Sequence, residues 1–479
     1  MRKKLLIVIG DLSHLNQFVI HGFFKELSES ASVSLAIPES EMSSQRWTEL
    51  SKIFDGSITE VIPYLYSARA RTAGYQLGAA LTYRHRKRSE SYKVKILESL
   101  FQNFDLPIEK FSRLSCRLLF KNRRALIGRV IHELPAMVRG TRTLFWIWSK
   151  LVSRKISTGC DIQRVIETCE PQVVILLMQR QAGFVIASVS AAEKLQVPTV
   201  LIPHKWDNAS SKSPLLTKPT RLLVFNCAIK EVCTCLHLMP PHAVVAVGAV
   251  EISQGKFVTN DHPENLILLT GASGDTRKSE RWLKIVDDVV LKYFEFSSFE
   301  VPGIIWRPYP TYEKKNLDFM REFVAIHPRI ELDSDIVHGV SHRNTNLSFP
   351  ETLDAYERYT SLLESALFVV SEGTSVIVDA RARGLAVIYP AFKKDAVVGS
   401  QWHRLNTSNH LKGLRETTGV FIAEDEQELE RLLVDFLTNP RRIPPDNSGE
   451  NIFVDERSYA RRVLDVVDEV VAEKAMKAS

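Results

Sequence analysis

The chain has 479 residues, 45% of them hydrophobic and 25% charged, which is too long for one ordinary domain and fits two soluble domains of roughly 200 residues each. It contains no run of about 18 apolar residues, so we expect no membrane-spanning helix, and the apolar run Leu5–Ile9 is too short for a signal peptide. The segment from Ser67 to Lys155 has 20 Lys and Arg against 5 Asp and Glu, whereas the remainder has 42 against 51, within a net charge of +6. This asymmetry indicates a surface that meets an anionic partner: membrane lipid, nucleic acid or a charged substrate.

In the first half of the chain, short apolar runs alternate with helical patterns. Strands are predicted at residues 4–10, 33–37, 58–63, 172–178, 199–203, 221–225 and 243–247, and helices at 18–30, 184–195 and 227–238. Repeated strand–helix–strand units at this spacing are typical of a parallel, doubly wound sheet.

A polar, unpatterned stretch at residues 254–263 resembles an interdomain linker, and a second α/β series follows it. Its strands are predicted at residues 265–270, 303–307, 367–371, 386–389 and 419–422. We therefore predict an α/β chain with two Rossmann-like domains facing a cleft, at residues 1–253 and 264–454. Residues 455–479 form a helical tail that we expect to pack back on the first domain.

A helical, basic insertion is predicted at about residues 65–155 of the first domain. Between Arg117 and Leu134, apolar residues recur at helical spacing with basic residues on another face, and Thr143–Trp148 adds two tryptophans. Such a helix is suited to an anionic membrane surface. An ordinary helical insertion with a solvated basic face is the alternative. Nucleic acid is not expected, because no recognised nucleic-acid motif accompanies the charge.

Several sequence motifs that would define a cofactor or a metal are absent. The chain lacks GxGxxG after its first strand and lacks GxxxxGK[ST], which disfavours a dinucleotide cofactor and an ATPase loop. The six cysteines are scattered, so we expect reduced thiols in a cytoplasmic protein rather than a zinc site. Asp333-Ser334-Asp335 is a DxD triplet, which is common by chance, and we expect neither a cofactor nor a bound metal.

The stretch Ser371-Glu372-Gly373-Thr374-Ser375 ends a buried strand and opens a helix. Glycine permits close approach, the hydroxyls add donors and the helix N-terminus attracts anions, so this stretch is a candidate phosphate site. In the alternative, Thr374 or Ser375 only caps the helix. Glu372 and Asp379 are two helical turns apart; one of them is a candidate for binding a sugar hydroxyl, and Glu372 alternatively braces the turn.

Two further polar segments follow predicted strands. Arg307, at the end of the 303–307 strand, is suited to bidentate binding of a diphosphate, or else is a surface arginine beside a Pro-rich turn. His204, Lys205, Trp206, Asp207 and Asn208 follow the 199–203 strand and form a candidate acceptor or catalytic loop. An Asx-turn with a packed tryptophan is the alternative.

In these features the chain resembles the GT-B glycosyltransferases. Residues 371–390 are similar to their nucleotide-sugar region, ending in Gly384-Leu385-Ala386-Val387-Ile388, and the loop from Trp206 to Lys212 resembles one in bacterial surface-polysaccharide transferases. Thr374, Ser375 and Asp379 also match the CDP-glycerol glycerophosphotransferases. That family usually has His in an Arg-Pro-His-Pro turn, where this chain has Tyr309.

The resemblance implies a nucleotide-sugar glycosyltransferase that acts on a glycan or a lipid-linked acceptor of bacterial surface polysaccharide. A CDP-polyol phosphotransferase, a nucleotide-sugar epimerase and a non-catalytic membrane scaffold remain alternatives. We expect a cytoplasmic protein, with peripheral attachment to the inner face of the cytoplasmic membrane left open.

The implied site residues fall into three sets. The candidate bases that would deprotonate an acceptor hydroxyl are Asp207, His204, Asp11 and His14. The candidate donor-binding residues are Arg307, Gly271, Ser371, Glu372, Gly373, Thr374, Ser375 and Asp379. The candidate acceptor-binding residues are Lys205, Trp206, Asn208 and Lys212.

Overall fold

The computed structural model of the chain describes most of both halves. The described residues are 2–12, 15–54, 56–84, 142–178, 183–212, 215, 217–250, 265–271, 276–295, 301–308, 314–335, 353–373, 375–396, 400–446, 455 and 457–478. Within these ranges, no helix combines the length and the hydrophobicity that crossing a membrane requires.

The first half contains a parallel sheet of seven described strands in the order β3-β2-β1-β4-β5-β6-β7. The strands are β1 Lys3–Ile9, β2 Ala31–Pro38, β3 Glu60–Tyr64, β4 Val173–Met178, β5 Thr199–Pro203, β6 Arg221–Val224 and β7 Val244–Ala246. All six residues of β4 are buried, as expected for a parallel sheet that is covered on both faces.

The helices of this half pack on the two faces of the sheet. They are α1 Asn16–Ile20, α2 Phe23–Ser30, α3 Glu39–Met42, α4 Gln45–Ile53, α5 Ala68–Arg84, α6 Arg142–Thr158, α7 Ile162–Cys169, α8 Gly183–Lys194 and α9 Cys227–Leu236. The prediction of one helix over residues 18–30 is wrong. Gly22 adopts a left-handed φ of 69°, which separates α1 from α2.

The second half contains a parallel sheet of six described strands in the order β10-β9-β8-β11-β12-β13. The strands are β8 Leu266–Thr270, β9 Gly303–Arg307, β10 Ile330–Leu332, β11 Ala366–Ser371, β12 Ala386–Pro390 and β13 Val420–Ala423. The helices are α10 Glu280–Glu295, α11 Lys314–Ile326, α12 Leu353–Ser365, α13 Val376–Arg381, α14 Gln401–Thr407 and α15 Glu426–Thr438. The short strand β10 is absent from the strands predicted by the apolar runs.

The last helix, α16 (Tyr459–Ala478), packs on the first domain rather than on the second. The Tyr459 ring lies 5.7 Å from the Phe23 ring between centroids, and Val463 and Val467 are fully buried in the same cluster. Ion pairs between Lys3 and Asp468 and between Arg221 and Glu473 flank this apolar contact.

The ends of the basic insertion are two helices that pack on the first domain. Ala73 and Leu77 of α5, together with Val152 and Ile156 of α6, belong to the core beneath α8. The predicted amphipathic helix between Arg117 and Leu134 lies outside the described residues. So does the predicted linker at 254–263.

Candidate functional site

The strand order places a topological switch point between β8 and β11 in the second sheet. Adjacent strands whose connections leave in opposite directions open a crevice at their carboxyl ends, where open α/β sheets bind ligands. Gly271 follows β8, and Ser371 ends β11. The Thr270 hydroxyl donates to the Ser371 hydroxyl at 2.8 Å, and the Glu372 amide donates to the Thr270 carbonyl at 3.1 Å, so the two strand ends are fixed together.

The turn from Ser371 to Ser375 brings glycine backbone to this crevice. Gly373 has a left-handed φ of 59°, and a Cβ there would lie 2.9 Å from the Tyr389 hydroxyl, so only glycine fits without strain. Gly373 and Ser375 are half-buried, and Thr374 lies outside the described residues. The Ser375 side chain makes no capping hydrogen bond, and α13 is only six residues long. The attraction of a helix dipole for an anion is therefore weaker here than a full-length helix would supply.

Glu372 points away from the crevice and into the second domain. Its side chain is 1% exposed, and its two carboxylate oxygens accept hydrogen bonds from the Ser279 hydroxyl at 3.0 Å and the Trp282 indole nitrogen at 2.8 Å. These contacts fix the turn to the start of α10, which corresponds to the bracing alternative for this residue.

Arg307 and Asp379 are joined through one aromatic ring. The Arg307 guanidinium carbon lies 4.5 Å from the centroid of the Tyr359 ring, and the Tyr359 hydroxyl donates to the Asp379 carboxylate at 2.7 Å. Burial raises the pKa of Tyr359 well above its ordinary value, and the Asp379 charge adds to the increase, so the phenol remains a neutral donor. The structure thus brings together two residues that lie 72 positions apart in the sequence.

The two carboxylates of the DxD triplet are paired with arginines. Asp333 forms a buried ion pair with Arg307, and Asp335 accepts two-pronged hydrogen bonds from Arg358, the shortest at 2.6 Å. Among the described residues, no cluster of three or more His, Cys, Asp or Glu side chains is arranged to hold a metal ion. A diphosphate at Arg307 would share the guanidinium with Asp333.

The first sheet also has a topological switch point, between β1 and β4, but the residues there differ in kind from those at the switch point of the second sheet. Gly10 follows β1, and a Cβ there would lie 2.4 Å from the ring of Phe184, the second residue of α8. Phe184 is 1% exposed, so an aromatic ring lies directly against the strand end at this position. In the second sheet, the buried Gly271 follows β8 and the half-buried Gly373 follows β11.

Two acidic side chains lie at the carboxyl edge of the first sheet. Asp11 follows β1, and Glu41 lies in α3 after β2. Burial raises the pKa of Glu41, and the Asp11 charge raises it further. Sequence analysis named Asp11 but not Glu41, which has no local motif. His14 lies outside the described residues.

The loop after β5 lies at the junction of the two domains. Trp206 is 2% exposed and packs among side chains of the second domain, with its ring 5.5 Å from the His410 ring between centroids. In this arrangement the ring is covered, so it holds the domains together rather than facing a solvent-filled site. Asn208 is also buried, whereas Lys205 is half-buried.

The same loop continues into a π-helical turn at Asn208–Lys212, a geometry that is frequent at functional sites. His204 and Asp207 are half-buried at its start. The Gln17 side-chain amide of α1 donates to the His204 carbonyl at 3.0 Å, which ties this loop to the segment after β1. The side chain of Lys212 lies outside the described part of the chain.

His21, at the end of α1, bridges the two domains and has no motif in the sequence. Its Nε2 lies 3.3 Å from the Tyr356 hydroxyl of α12. The pKa of His21 is lowered to about 4, chiefly by burial and then by the charges of Arg383 and Lys205, while Asp379 opposes the decrease. The imidazole is therefore neutral at physiological pH, with cations and a carboxylate from both domains around it.

The chain has two Rossmann-like domains, which meet at His21 and Trp206. This arrangement is that of the GT-B fold class. No protein-family model matches the sequence, and no curated protein matches it.

Solved structures similar to this one include two UDP-GlcNAc 2-epimerases and a plant protein. The Methanocaldococcus jannaschii epimerase, solved with UDP-GlcNAc and UDP, is 10% identical, with 97% of this chain and 99% of that chain covered and a TM-score of 0.47. The Neisseria meningitidis epimerase, bound to UDP-GlcNAc, is 10% identical over 99% of this chain and 100% of that chain, with a TM-score of 0.46.

The plant protein is Glycyrrhiza uralensis UGT73P12, complexed with glycyrrhetinic acid 3-O-monoglucuronide. It is 11% identical, with 99% of this chain and 97% of that chain covered and a TM-score of 0.45. Identities and scores this low carry no argument about what this chain binds.

Proposed function

We propose that the chain is a nucleotide-sugar-dependent glycosyltransferase that acts on a glycan or lipid-linked acceptor of bacterial surface polysaccharide. The observation that supports nucleotide binding in the second domain is the contrast between the two switch points. The first is occupied by Phe184 against Gly10, whereas the second has the half-buried, left-handed turn at Gly373. Polar groups and accessible backbone suit a diphosphate, and a buried phenylalanine does not.

In this proposal the donor diphosphate lies against residues 371–375 and the acceptor enters from the first domain. Arg307 and the second-domain dipoles stabilise the negative charge of the departing diphosphate. The surface-polysaccharide acceptor follows from the resemblance of the Trp206–Lys212 loop.

An inverting transfer needs a base beside the acceptor hydroxyl. Glu41 joins Asp11, His204 and Asp207 as a candidate, because a carboxylate with a raised pKa accepts a proton more readily than an ordinary one. His21 has a pKa of about 4, so its imidazole is a weak proton acceptor and a better hydrogen-bonding group.

A thermal-shift panel with UDP, GDP, CMP and dTDP tests the nucleotide site. A nucleotide that binds the folded protein must raise its melting temperature, and calorimetry then gives the affinity. Thr374→Val combined with Ser375→Ala should weaken binding of that nucleotide about a hundredfold, because two lost hydrogen bonds to a charged phosphate are worth about 3 kcal/mol together.

The matched control makes the same pair of changes on the exposed face of α4, as Thr48→Val with Ser51→Ala. It should bind as the wild type does. Unchanged affinity in the Thr374/Ser375 variant would show that the phosphate site lies elsewhere.

An epimerase of the same fold class is the second candidate, and one experiment separates the two. Incubation of the selected UDP-, GDP- or CMP-sugar in D2O without an acceptor should leave the sugar unchanged if the chain is a transferase. A new epimer with deuterium at the inverted carbon identifies an epimerase. Nucleotide binding without turnover on any donor panel favours a non-catalytic scaffold.

A further inference from the structure

Helix α6 has one face that packs into the first domain and one that does not. Ser149, Val152 and Ile156, at helical spacings of three and four, are buried beside α5 and α8. These three residues fix the rotation of the helix about its own axis. The opposite side of the described C-terminal half of α6 therefore faces away from the domain.

The outward face of α6 consists of Lys150, Leu151, Arg154 and Lys155. All four are exposed, and Leu151 is 58% exposed beside three cations. Among the described residues, none of the three cations pairs with a carboxylate within 4.0 Å, although most other exposed arginines near acids do so. The face combines unpaired positive charge with an exposed apolar side chain.

This face belongs to the segment with 20 basic and 5 acidic residues, so the charge of its surroundings has the same sign. A cationic surface of this kind is attracted to an anionic one over about 8 Å at physiological salt.

The position of α6 relates this face to the cleft. A Cβ on Gly183, the first residue of α8, would lie 2.7 Å from the Ala70 carbonyl and 3.4 Å from the Ile156 side chain. Gly183 follows β4 at the carboxyl edge of the first sheet, which is the edge that meets the second domain. The C-terminal end of α6 is therefore anchored at the acceptor side of the candidate site.

We propose that the outward face of α6 binds the surface of an anionic lipid bilayer, so that the acceptor side of the cleft faces the membrane. Basic side chains bind the headgroups, and Leu151 enters the headgroup boundary, which is the arrangement of interfacial amphipathic helices. A nucleic acid would give the exposed leucine no such place. The proposal is independent of nucleotide binding in the second domain.

The test uses the full-length protein and sonicated vesicles. Flotation with phosphatidylcholine vesicles containing about one third phosphatidylglycerol should carry the protein, and vesicles of phosphatidylcholine alone should not. Each basic residue near an anionic surface contributes roughly fivefold to partitioning, so reversal of all three charges should reduce binding at least a hundredfold. The charge-reversal variant carries Lys150→Glu, Arg154→Glu and Lys155→Glu.

The control reverses the same number of exposed charges away from this face. It carries Lys292→Glu, Arg321→Glu and Lys474→Glu. This control should retain most of the binding, and Leu151→Ser should lose a smaller part of it. The circular dichroism spectrum and the melting temperature without nucleotide should match those of the wild type in all three variants, which shows that each is folded.

Three outcomes overturn the proposal. The first is no flotation of the wild type with anionic vesicles. The second is equal loss in the charge-reversal variant and its control, which would indicate attraction by net charge alone. The third is tight binding to a fluorescent RNA or DNA duplex that depends on the same three residues while Leu151→Ser has no effect.

Discussion

His21 should be a histidine that stays neutral down to acidic pH. Its pKa is lowered from 6.5 to about 4, chiefly by burial and then by the charge of Arg383. A histidine whose pKa is lower in the folded than in the unfolded state binds fewer protons when folded. Stability is therefore unaffected by His21 above its unfolded pKa of 6.5 and decreases as the pH falls from 6.5 through 4.

The magnitude follows from the two pKa values. Between pH 7 and pH 5, a shift from 6.5 to about 4 removes about 2 kcal/mol from the free energy of unfolding. Other groups also titrate in this range, so the quantity to measure is the difference between wild type and His21→Gln. The glutamine keeps a hydrogen-bonding group near the Tyr356 hydroxyl and has no proton to gain.

Two measurements check this prediction. An NMR titration of the histidine Cε1 protons should show one resonance with a midpoint near 4 that is absent in His21→Gln, and Arg383→Met should raise that midpoint. Urea denaturation at pH 7 and pH 5 should show an acid loss about 2 kcal/mol smaller in His21→Gln than in the wild type. A His21 midpoint near 6.5 would refute the prediction that its surroundings lower the pKa of this ring.

Three other changes probe the frame of the site. Gly10→Ala should destabilise the protein by about 1–3 kcal/mol, because the new methyl group meets the ring of Phe184, and thermal denaturation that matches the wild type would contradict this contact. Glu372→Ala should lower the free energy of unfolding by about 2–4 kcal/mol, because it leaves the Ser279 hydroxyl and the Trp282 indole N–H buried without an acceptor. An unchanged melting temperature with weakened nucleotide binding would instead support direct contact between Glu372 and the donor. Removal of residues 459–478 should make the first domain less stable than the second. Backbone amides of β1 should then exchange hydrogen faster than those of β8.

The strands of both sheets could be predicted from the sequence because they are short, almost wholly apolar runs. The strands at Thr199–Pro203 and Gly303–Arg307 were predicted with their observed bounds. The break between α1 and α2 was missed because an isolated glycine such as Gly22 is also tolerated inside helices. The three-residue strand β10 has too few apolar residues to stand out from its surroundings.

The turn at Ser371–Ser375 could be located from the sequence, but the partners of its side chains could not. Glu372 meets Trp282 across 90 positions of the chain, and His21 meets Tyr356 across 335. Local patterns carry no information about such contacts, which depend on how whole helices pack. For Trp206 the sequence left both a binding loop and a packed tryptophan open, and the ring is buried at the junction.

The return of α16 to the first domain makes the second domain an internal insertion of the first. The chain leaves the first domain after β7 and re-enters it at α16, so the second domain is attached at two points. A body attached at one point can tumble, whereas a body attached at two points rotates about the line that joins them. Two points of attachment leave the second domain fewer ways to reorient against the first than one point would, and so favour a single position of the turn at Gly373 opposite the first domain.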